Sequence, residues 1–455
     1  MARVPDIKTL NANSVQIMNA VRNEIGGVYA SQVPIAEDSV ESIRTVGEII
    51  MTYQPLQNAF LSALVNRIGK VIIISKSYQN PWASFKKGLL EYGETVEELF
   101  VNIAKPFQFD PNTAETEVFK REIPDVRAAF HTMNYQKFYK VTISNDQLRQ
   151  AFLSWNGITD LIGRIIDSLY TGANYDEFLT MKYMIARMAL NGNMYPVNIP
   201  AVSAENAKSI VTKIKGISNN LEFMSTAYNA AGVNTYTDKR DQYIILNAEF
   251  DATIDVEVLA SAFNMDKAEF MGRRIVVDSF SALDNARLSE LFAEDAGYIE
   301  ITPEEKTALS NIPAILVDKE WFMIFDNYYN MTEQYNGQGL YWNYWYHVWK
   351  TFSTSPFANA LVFTTATPAI SAVSVTPSTA TVTKGQSLQM YATVTSTGFA
   401  DKKVTWAISG ATSSTISPNG LLQVGSGETA SSITVTATSV FDNTKSGTAT
   451  ITVSD

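Results

Sequence analysis

The 455-residue sequence contains no cysteine and only two histidines, His131 and His347. The first absence excludes disulfides, thiolate metal sites and cysteine nucleophiles. The second leaves little for general base chemistry, and neither histidine has a second one at metal-ligand spacing. No apolar run approaches the roughly 18 residues that span a bilayer, so no membrane partner is expected; "VIIIS" after Lys70 is about strand length. The opening "MARVPDIKTLNANSV" lacks the apolar stretch of a signal peptide, which points to a product made inside a cell. A basic patch is missing too. With a net charge of −11, a firm grip on nucleic-acid phosphates is disfavoured, and Lys86-Lys87 and Arg273-Arg274 are isolated pairs.

The short motifs that carry chemistry are equally scarce. Ser84-Phe85-Lys86-Lys87 spells S-x-x-K, but the K-T-G and S-D-N elements that would accompany it are missing. "NGQGLYWN" has two glycines and no phosphate-binding helix after it. "DATIDVEV" brings Asp251, Asp255 and Glu257 close together without a glycine turn, so it reads as acids near a helix N-terminus and not as a calcium loop. The expectation is no catalytic residue, no cofactor and no metal, with His131 and His347 in structural roles.

What is present is a globular composition, 46% hydrophobic, on a chain long enough for two or more domains. Composition changes at Pro368, after which Ser and Thr dominate and charges thin out. Leu388, Met390, Ala392 and Val394 alternate with Gln389, Tyr391, Thr393 and Thr395. Val404, Trp406 and Ile408 repeat the period, as do Ile433, Val435 and Ala437, then Ala449, Ile451 and Val453. Separated by "KGQ", "SPNG" and "DNTKSG", these strands predict a small β-sandwich with Trp406 as its core plug.

Upstream, Ile158, Ile162, Ile165, Leu169, Ala173, Phe178, Met181, Ile185 and Met188 form a helical stripe stopped by Asn191-Gly192-Asn193. Such a rod is about 50 Å long at 1.5 Å per residue. Before it, about Ser77 to Ile143 carries Pro and Gly breaks and little periodicity until Tyr135, Lys137, Tyr139, Val141 and Ile143 share a strand face. This predicts an extended two-stranded arm. After the rod, Pro196 to Asn336 alternates helix (Ala204–Ile217, "DATIDVEVLASAF") and strand ("QYIILN", "RRIVVDS", "AILVD", "WFMIFD"), a mixed α/β region.

"GLYWNYWYHVWK" then concentrates three of seven tryptophans in twelve residues. Its even positions carry Leu340, Trp342, Tyr344, Tyr346 and Val348, and its odd ones Tyr341, Trp345, His347 and Trp349. Both faces are bulky, which predicts a strand covered on each side, in a core or a subunit interface, with Trp342, Trp345 and Trp349 buried. A second strand follows through Phe357, Ala360 and Val362.

Two resemblances extend this reading. "VSVTPSTATVTKGQSLQMYATV", "KVTWAIS", "ISPNGLLQV" and "ITVTATS" resemble a group 2 bacterial immunoglobulin-like domain. The order of arm, rod, mixed domain and aromatic strands looks like the Hong Kong 97 type capsid fold. Within that fold, "SALVNRIGKVIII", "NPWASFKKGLLEYGETVEELF", "EVFKREIPDV", "FDATIDVEVLASAFNMDKAEFMG", "AILVDKEWFMIFDN" and "GLYWNYWYHVWKTFSTSPFANALVF" resemble the major head protein of phi29-like short-tailed phages. The fold class implied is α+β plus an all-β sandwich. The expected divisions are a capsid-fold domain over 1–367 and an immunoglobulin-like domain over 368–455. Within the first, an N-terminal arm and helix span 1–76, an extended loop 77–143, a peripheral domain with the spine helix 144–195, an axial domain 196–336 and terminal peripheral strands 337–367. Ala282 to Thr307 is longer than the resemblance leads one to expect.

The resemblance implies no enzyme but a virion protein, assembled in the host cytoplasm, that forms pentamers and hexamers of an icosahedral or prolate shell. The implied partners are copies of itself, a scaffolding protein, the portal or connector, weakly the packaged double-stranded DNA, and through the outward tail domain a host surface or glycans. Phe85, Lys86, Lys87 and Gly88 are the expected inter-subunit contact. The rival reading is a secreted surface adhesin or glycan-binding protein with the same tail module.

Overall fold

The computed structural model describes residues 14–71, 78–90, 95–110, 121–153, 157–257, 274–295 and 297–455. Two compact units divide them: Met1–Glu94 with Met133–Phe178 and Phe325–Thr351, and Thr95–Thr132 with Leu179–Ile324 and Phe352–Asp455. Residues 1–13 of the expected N-terminal arm, Ile72 to Ser75 of "VIIIS", Arg273 and all of "LASAF" lie outside the described residues.

The first unit packs helices on a sheet. Four helices, Ser14–Ile25, Gly27–Gln32, Val40–Thr52 and Gln54–Val71, lead in. The third is capped by Ser39, whose side chain accepts from the Ser42 amide, satisfying one of the donors a helix start leaves open. It carries Gly47 where a methyl group would meet the Phe152 ring carbons at 2.6 Å, so only glycine lets the two approach. Val15, Met18, Ile43, Val46, Ile50, Phe60, Leu61, Leu148, Phe152 and Leu169 close one core with Trp342 and Tyr344. The sheet has four strands, in the order Lys86–Leu89, Phe322–Asn336, Tyr341–Thr354 and Tyr135–Ser144.

The second unit holds a five-stranded mixed sheet, in the order Tyr195–Asn198, Ala360–Thr364, Ala314–Asp318, Gln242–Asn247 and Arg274–Val277. Ile210 and Ile214 of the helix Ala204–Asn220 pack on it with Leu246, Leu316, Leu361 and Phe363. Ala360–Thr364 runs parallel to Tyr195–Asn198 and antiparallel to Ala314–Asp318. This corrects the expectation that it accompanies the aromatic strand. All five of its residues are buried, and a strand of that kind belongs in the middle of a covered sheet.

The rod is one helix, Gly157–Leu190, of 34 residues. It stops as the sequence foretells: Gly192 takes φ 74°, and the amides of Gly192 and Asn193 bond back to Ala189 and Met188 at 2.9 Å. The described residues over 282–307 include a short helix, Asn285–Leu291, and the start of another, Pro303–Leu309. Tyr183 donates to the Ile299 carbonyl at 2.8 Å, and Arg187 bonds the Glu305 carboxylate at 2.9 Å, tying that segment to the rod's C-terminal half.

The tail is a sandwich. Thr379–Thr383, Ser446–Ser454, Ser432–Ser439 and Val404–Ser409 form one sheet, with smaller sheets opposite. Val394, Leu422, Val424, Ile433, Val435, Ala437 and Ile451 fill the space between them. Trp406 is not the central plug. It packs on the rim of that core, half-exposed, because its strand is the edge of the sheet. Gly420, at φ 81°, brings its backbone against the Trp406 ring, where a methyl group would sit 3.0 Å away.

Candidate assembly interface

The aromatic strand Tyr341–Thr354 pairs antiparallel with Tyr135–Ser144, placing Trp342 opposite Ile143, Tyr344 opposite Val141 and Val348 opposite Lys137. Side chains alternate across a strand, and this sorts the rings. Trp342 at 5% exposure and Tyr344 at 0% point into the helical core, and Val348 is buried at 1%. Trp345, His347 and Trp349 point the other way and stay half-exposed. Trp345 lies under the Lys140 ammonium at 5.7 Å. Trp349 packs on Tyr328 at 4.8 Å and His347 on Phe138 at 5.8 Å. Of the three tryptophans expected to be buried, Trp342 is buried within one chain, and Trp345 and Trp349 are half-buried. The sheet has a single packed face, and Trp345 and Trp349 stand on the other.

The predicted contact residues divide as well. Phe85 is 3% exposed, its ring beside Trp82. Lys86 pairs with Asp326 at 2.6 Å and Glu177 at 3.3 Å. Both are turned into their own unit within the single chain. Lys87 is half-buried and Gly88, at φ 106°, is exposed.

Around Lys86 lies an enclosed polar cluster with no local sequence signal. Lys350, 3% exposed, contacts Glu177, 2% exposed, and reaches Asp326 at 3.2 Å. Asn80 donates to Glu177 at 2.5 Å. Burial, with the neighbouring Lys86 charge, pulls the Lys350 amine down to about 6. The cluster's members come from distant parts of the chain, so periodicity could not have found it.

The β-ribbon is narrower than the arm expected over 77–143, since Lys86–Leu89 and Tyr135–Ser144 belong to the first unit's sheet. Thr95–Val101 pairs antiparallel with Val126–Thr132. Its two faces differ. On one, His131 is buried, with Nδ1 2.8 Å from the Ser353 hydroxyl and Nε2 3.2 Å from the Glu98 carboxylate. Ser355 donates to Glu98 at 2.7 Å, Arg127 to the Ala231 carbonyl at 2.8 Å, and Phe100 stacks on Phe357 at 5.5 Å. The serine, histidine and glutamate are adjacent as in a hydrolase, but a ring 2% exposed admits no substrate. His131 is a rivet that holds the ribbon down. On the other face Leu99 is 62% exposed, Val101 61%, Val126 51% and Phe130 65%, and Phe107 and Phe109 beyond the pairing are more open still.

Asp251 pairs with Arg274 at 2.6 Å, and the Asp255 and Glu257 side chains lie outside the described residues. Among the described residues no group of three His, Asp or Glu is gathered to hold a metal ion. None of their helices is long and apolar enough to cross a membrane.

The profile described as "Phi29-like phage major capsid protein" matches residues 18–364, and that of the group 2 bacterial immunoglobulin-like domain matches 369–453. The chain is 37% identical to the major capsid protein of Bacillus phage B103 over 95% of its length and 92% of the relative's. It is 36% identical to that of Bacillus phage PZA, with the same coverage. A chain in the structure of the head fiber and inner core protein gp22 of native bacteriophage P68 superposes with TM-score 0.50 at 17% identity, covering 64% of this chain and 86% of that one.

Proposed function

The chain belongs to the phi29-like phage major capsid protein family, with a Hong Kong 97-like capsid fold and a C-terminal immunoglobulin-like domain, and from that premise we propose how it builds a head. Copies assemble into pentamers and hexamers around a scaffolding protein in the host cytoplasm, leave one vertex to the portal, and enclose double-stranded DNA. The first unit serves as the peripheral domain, the five-stranded sheet as the axial domain, and residues 95–132 as the extended loop.

The observation that carries this reading is the two-faced ribbon. One face is fastened to its own chain by His131, Glu98, Arg127 and Phe100, which fixes its direction. The other offers Leu99, Val101, Val126 and Phe130 to water. A two-stranded ribbon with an open apolar face is costly for a solitary soluble protein and invites pairing. Covered by a neighbouring copy, it contributes to an obligate interface of the kind that buries about 2,000 Å² or more.

The excess of acidic residues suits a wall that touches DNA without gripping it, since phosphate contacts scale with the cations offered. The tail sandwich faces outward, where a host surface or glycans are within its reach. The adhesin alternative loses its footing, because the capsid-protein match spans 18–364 and leaves only the tail module to it. Electron microscopy of the protein expressed with a scaffold tests the proposal: closed shells are expected, and monomers at every concentration would overturn it.

A further inference from the structure

We propose that the loop 229–234 couples the tail sandwich to the β-ribbon, so that the docked tail stiffens the ribbon's outer end. Two cations from different parts of the second unit bind consecutive carbonyls of this loop. Arg127 of the ribbon donates to the Ala231 carbonyl at 2.8 Å, and Lys403, at the base of the tail, donates to the Ala230 carbonyl. Such charge-assisted bonds are the stronger kind. Asn234 adds a third tie, donating to Asn102 Oδ1 at 3.3 Å. Asn102 in turn donates to the Asp125 carboxylate at 3.2 Å, and its amide bonds to the Asp125 carbonyl at 2.9 Å. These bonds close the ribbon just beyond its last strand pair, Val101 with Val126.

The loop is built to pass a displacement on. Asn229 and Val233 are buried, and the Asn229 carboxamide closes the turn, donating to the Val233 carbonyl at 2.7 Å and accepting from the Val233 amide at 2.8 Å. Asn229 also bridges to Asn359, and the Ala231 amide donates to the Pro356 carbonyl at 2.9 Å. A loop whose polar groups are paired in this way moves as a body.

The tail's side of the junction is equally firm. The Val440 amide bonds to the Lys403 carbonyl at 2.9 Å, and the Lys403 amide to the Asp401 side chain at 2.8 Å. Phe399, buried at the same base, holds φ 64°. A bulky residue keeps that left-handed conformation only where its surroundings enforce it. The ribbon's inner end has its own fastening at His131, which pairs with Val96. The two ends therefore report separately. The coupling is a property of the single chain and holds whatever the ribbon's open face meets.

Amide exchange of the unassembled full-length chain tests this. Lys403→Ala removes the tail's hold on Ala230 and leaves the backbone bonds of Lys403 in place. The expected result is exchange at Asn102 and along 126–128 faster by roughly fivefold, the low end of coupling between sites, with Val96 and His131 unchanged. Lys403→Arg, which keeps a donor cation, is expected to hold near wild-type protection. Lys384→Ala, which breaks the exposed pair with Asp455 in the same sandwich, is expected to leave the ribbon as it was. Coupling is reciprocal, so Arg127→Ala is expected to speed exchange at Lys403 and Val440 by a similar factor. Ribbon exchange equal to the wild type's in Lys403→Ala overturns the proposal, and so does a tail base that keeps wild-type exchange in Arg127→Ala.

Discussion

Trp342→Ala and Trp345→Ala, three residues apart on one strand, separate the packed face of the sheet from the open one. Trp342 is 5% exposed, its ring 5.3 Å from Tyr335, and it belongs to the helical core. A buried ring of about 150–250 Å² at about 25 cal/mol per Å² gives an upper bound of about 4–6 kcal/mol. Large-to-small data for such sites centre on about 3–5 kcal/mol. Trp345 is half-exposed, and its identified partner is the Lys140 cation. The area that Trp345 leaves to water lowers that bound, and a cation–π contact restores only about 0.5–1 kcal/mol, so Trp345→Ala is expected to cost less than Trp342→Ala. Because a chain of several units does not unfold in one step, global melting blurs the difference. Native-state amide exchange along Tyr135–Ser144, the strand paired to both tryptophans, reads the local opening free energy directly. The reasoning fails if Trp345→Ala costs as much there as Trp342→Ala.

Other outcomes follow from the same packing. Phe85→Ala is expected to lower the stability of its unit by about 3–5 kcal/mol in unassembled protein, as measured by denaturant unfolding, because the ring is interior; an effect confined to assembly would contradict that. In the tail, the Glu428 carboxylate accepts from the Ser413 and Ser414 amides, both near 3.0 Å, and from the Thr412 and Ser414 hydroxyls. Those donors hold it well below the usual carboxylate range. A depressed folded-state value means stability that is present above the unfolded glutamate value of about 4.3 and is lost as pH falls below it. Acid titration of tail-domain unfolding should therefore show a loss that Glu428→Gln flattens, and an unchanged profile counts against the clasp. Gly192 ends the rod in the left-handed region, and a methyl group there would stand 2.7 Å from the Ala400 carbonyl oxygen. Gly192→Val is expected to cost about 1–3 kcal/mol in backbone strain alone and to raise amide exchange across 398–403; protection equal to the wild type would refute the close packing.

Local pattern made much of this legible. The rod and its Asn-Gly-Asn stop, the alternating tail strands and the sidedness of Tyr135 to Ile143 are all period signals, and periodicity survives into structure because it is what buries one face. What period cannot convey is which elements meet. Ala360–Thr364 reads as a buried strand, yet nothing local says that it joins Tyr195–Asn198 and not the aromatic strand. The residues around Glu177 converge from three distant segments. Trp406 reads as a core residue because its strand alternates, but whether that strand is central or at an edge is a matter of topology. The odd-numbered rings from Tyr341 to Trp349 were expected to be covered, and in a single chain they are only half so. Phe85 and Lys86 lie in a stretch whose Pro and Gly breaks suggested an arm, and the breaks instead mark turns around buried side chains. A deletion from Pro81 to Val118 would therefore remove Trp82 and Phe85 from the first unit's interior and cannot probe assembly cleanly.

Substitution on the ribbon's open face avoids that difficulty. Leu99→Lys with Phe130→Lys changes two side chains that are 62% and 65% exposed and leaves the His131, Glu98 and Phe357 contacts in place. Electron microscopy of the doubly substituted protein, expressed with scaffold and checked for wild-type stability, is the most direct measurement. Folded protein that closes no shells is the expected result; shells as numerous and regular as the wild type's would contradict the claim that a neighbouring copy covers this face.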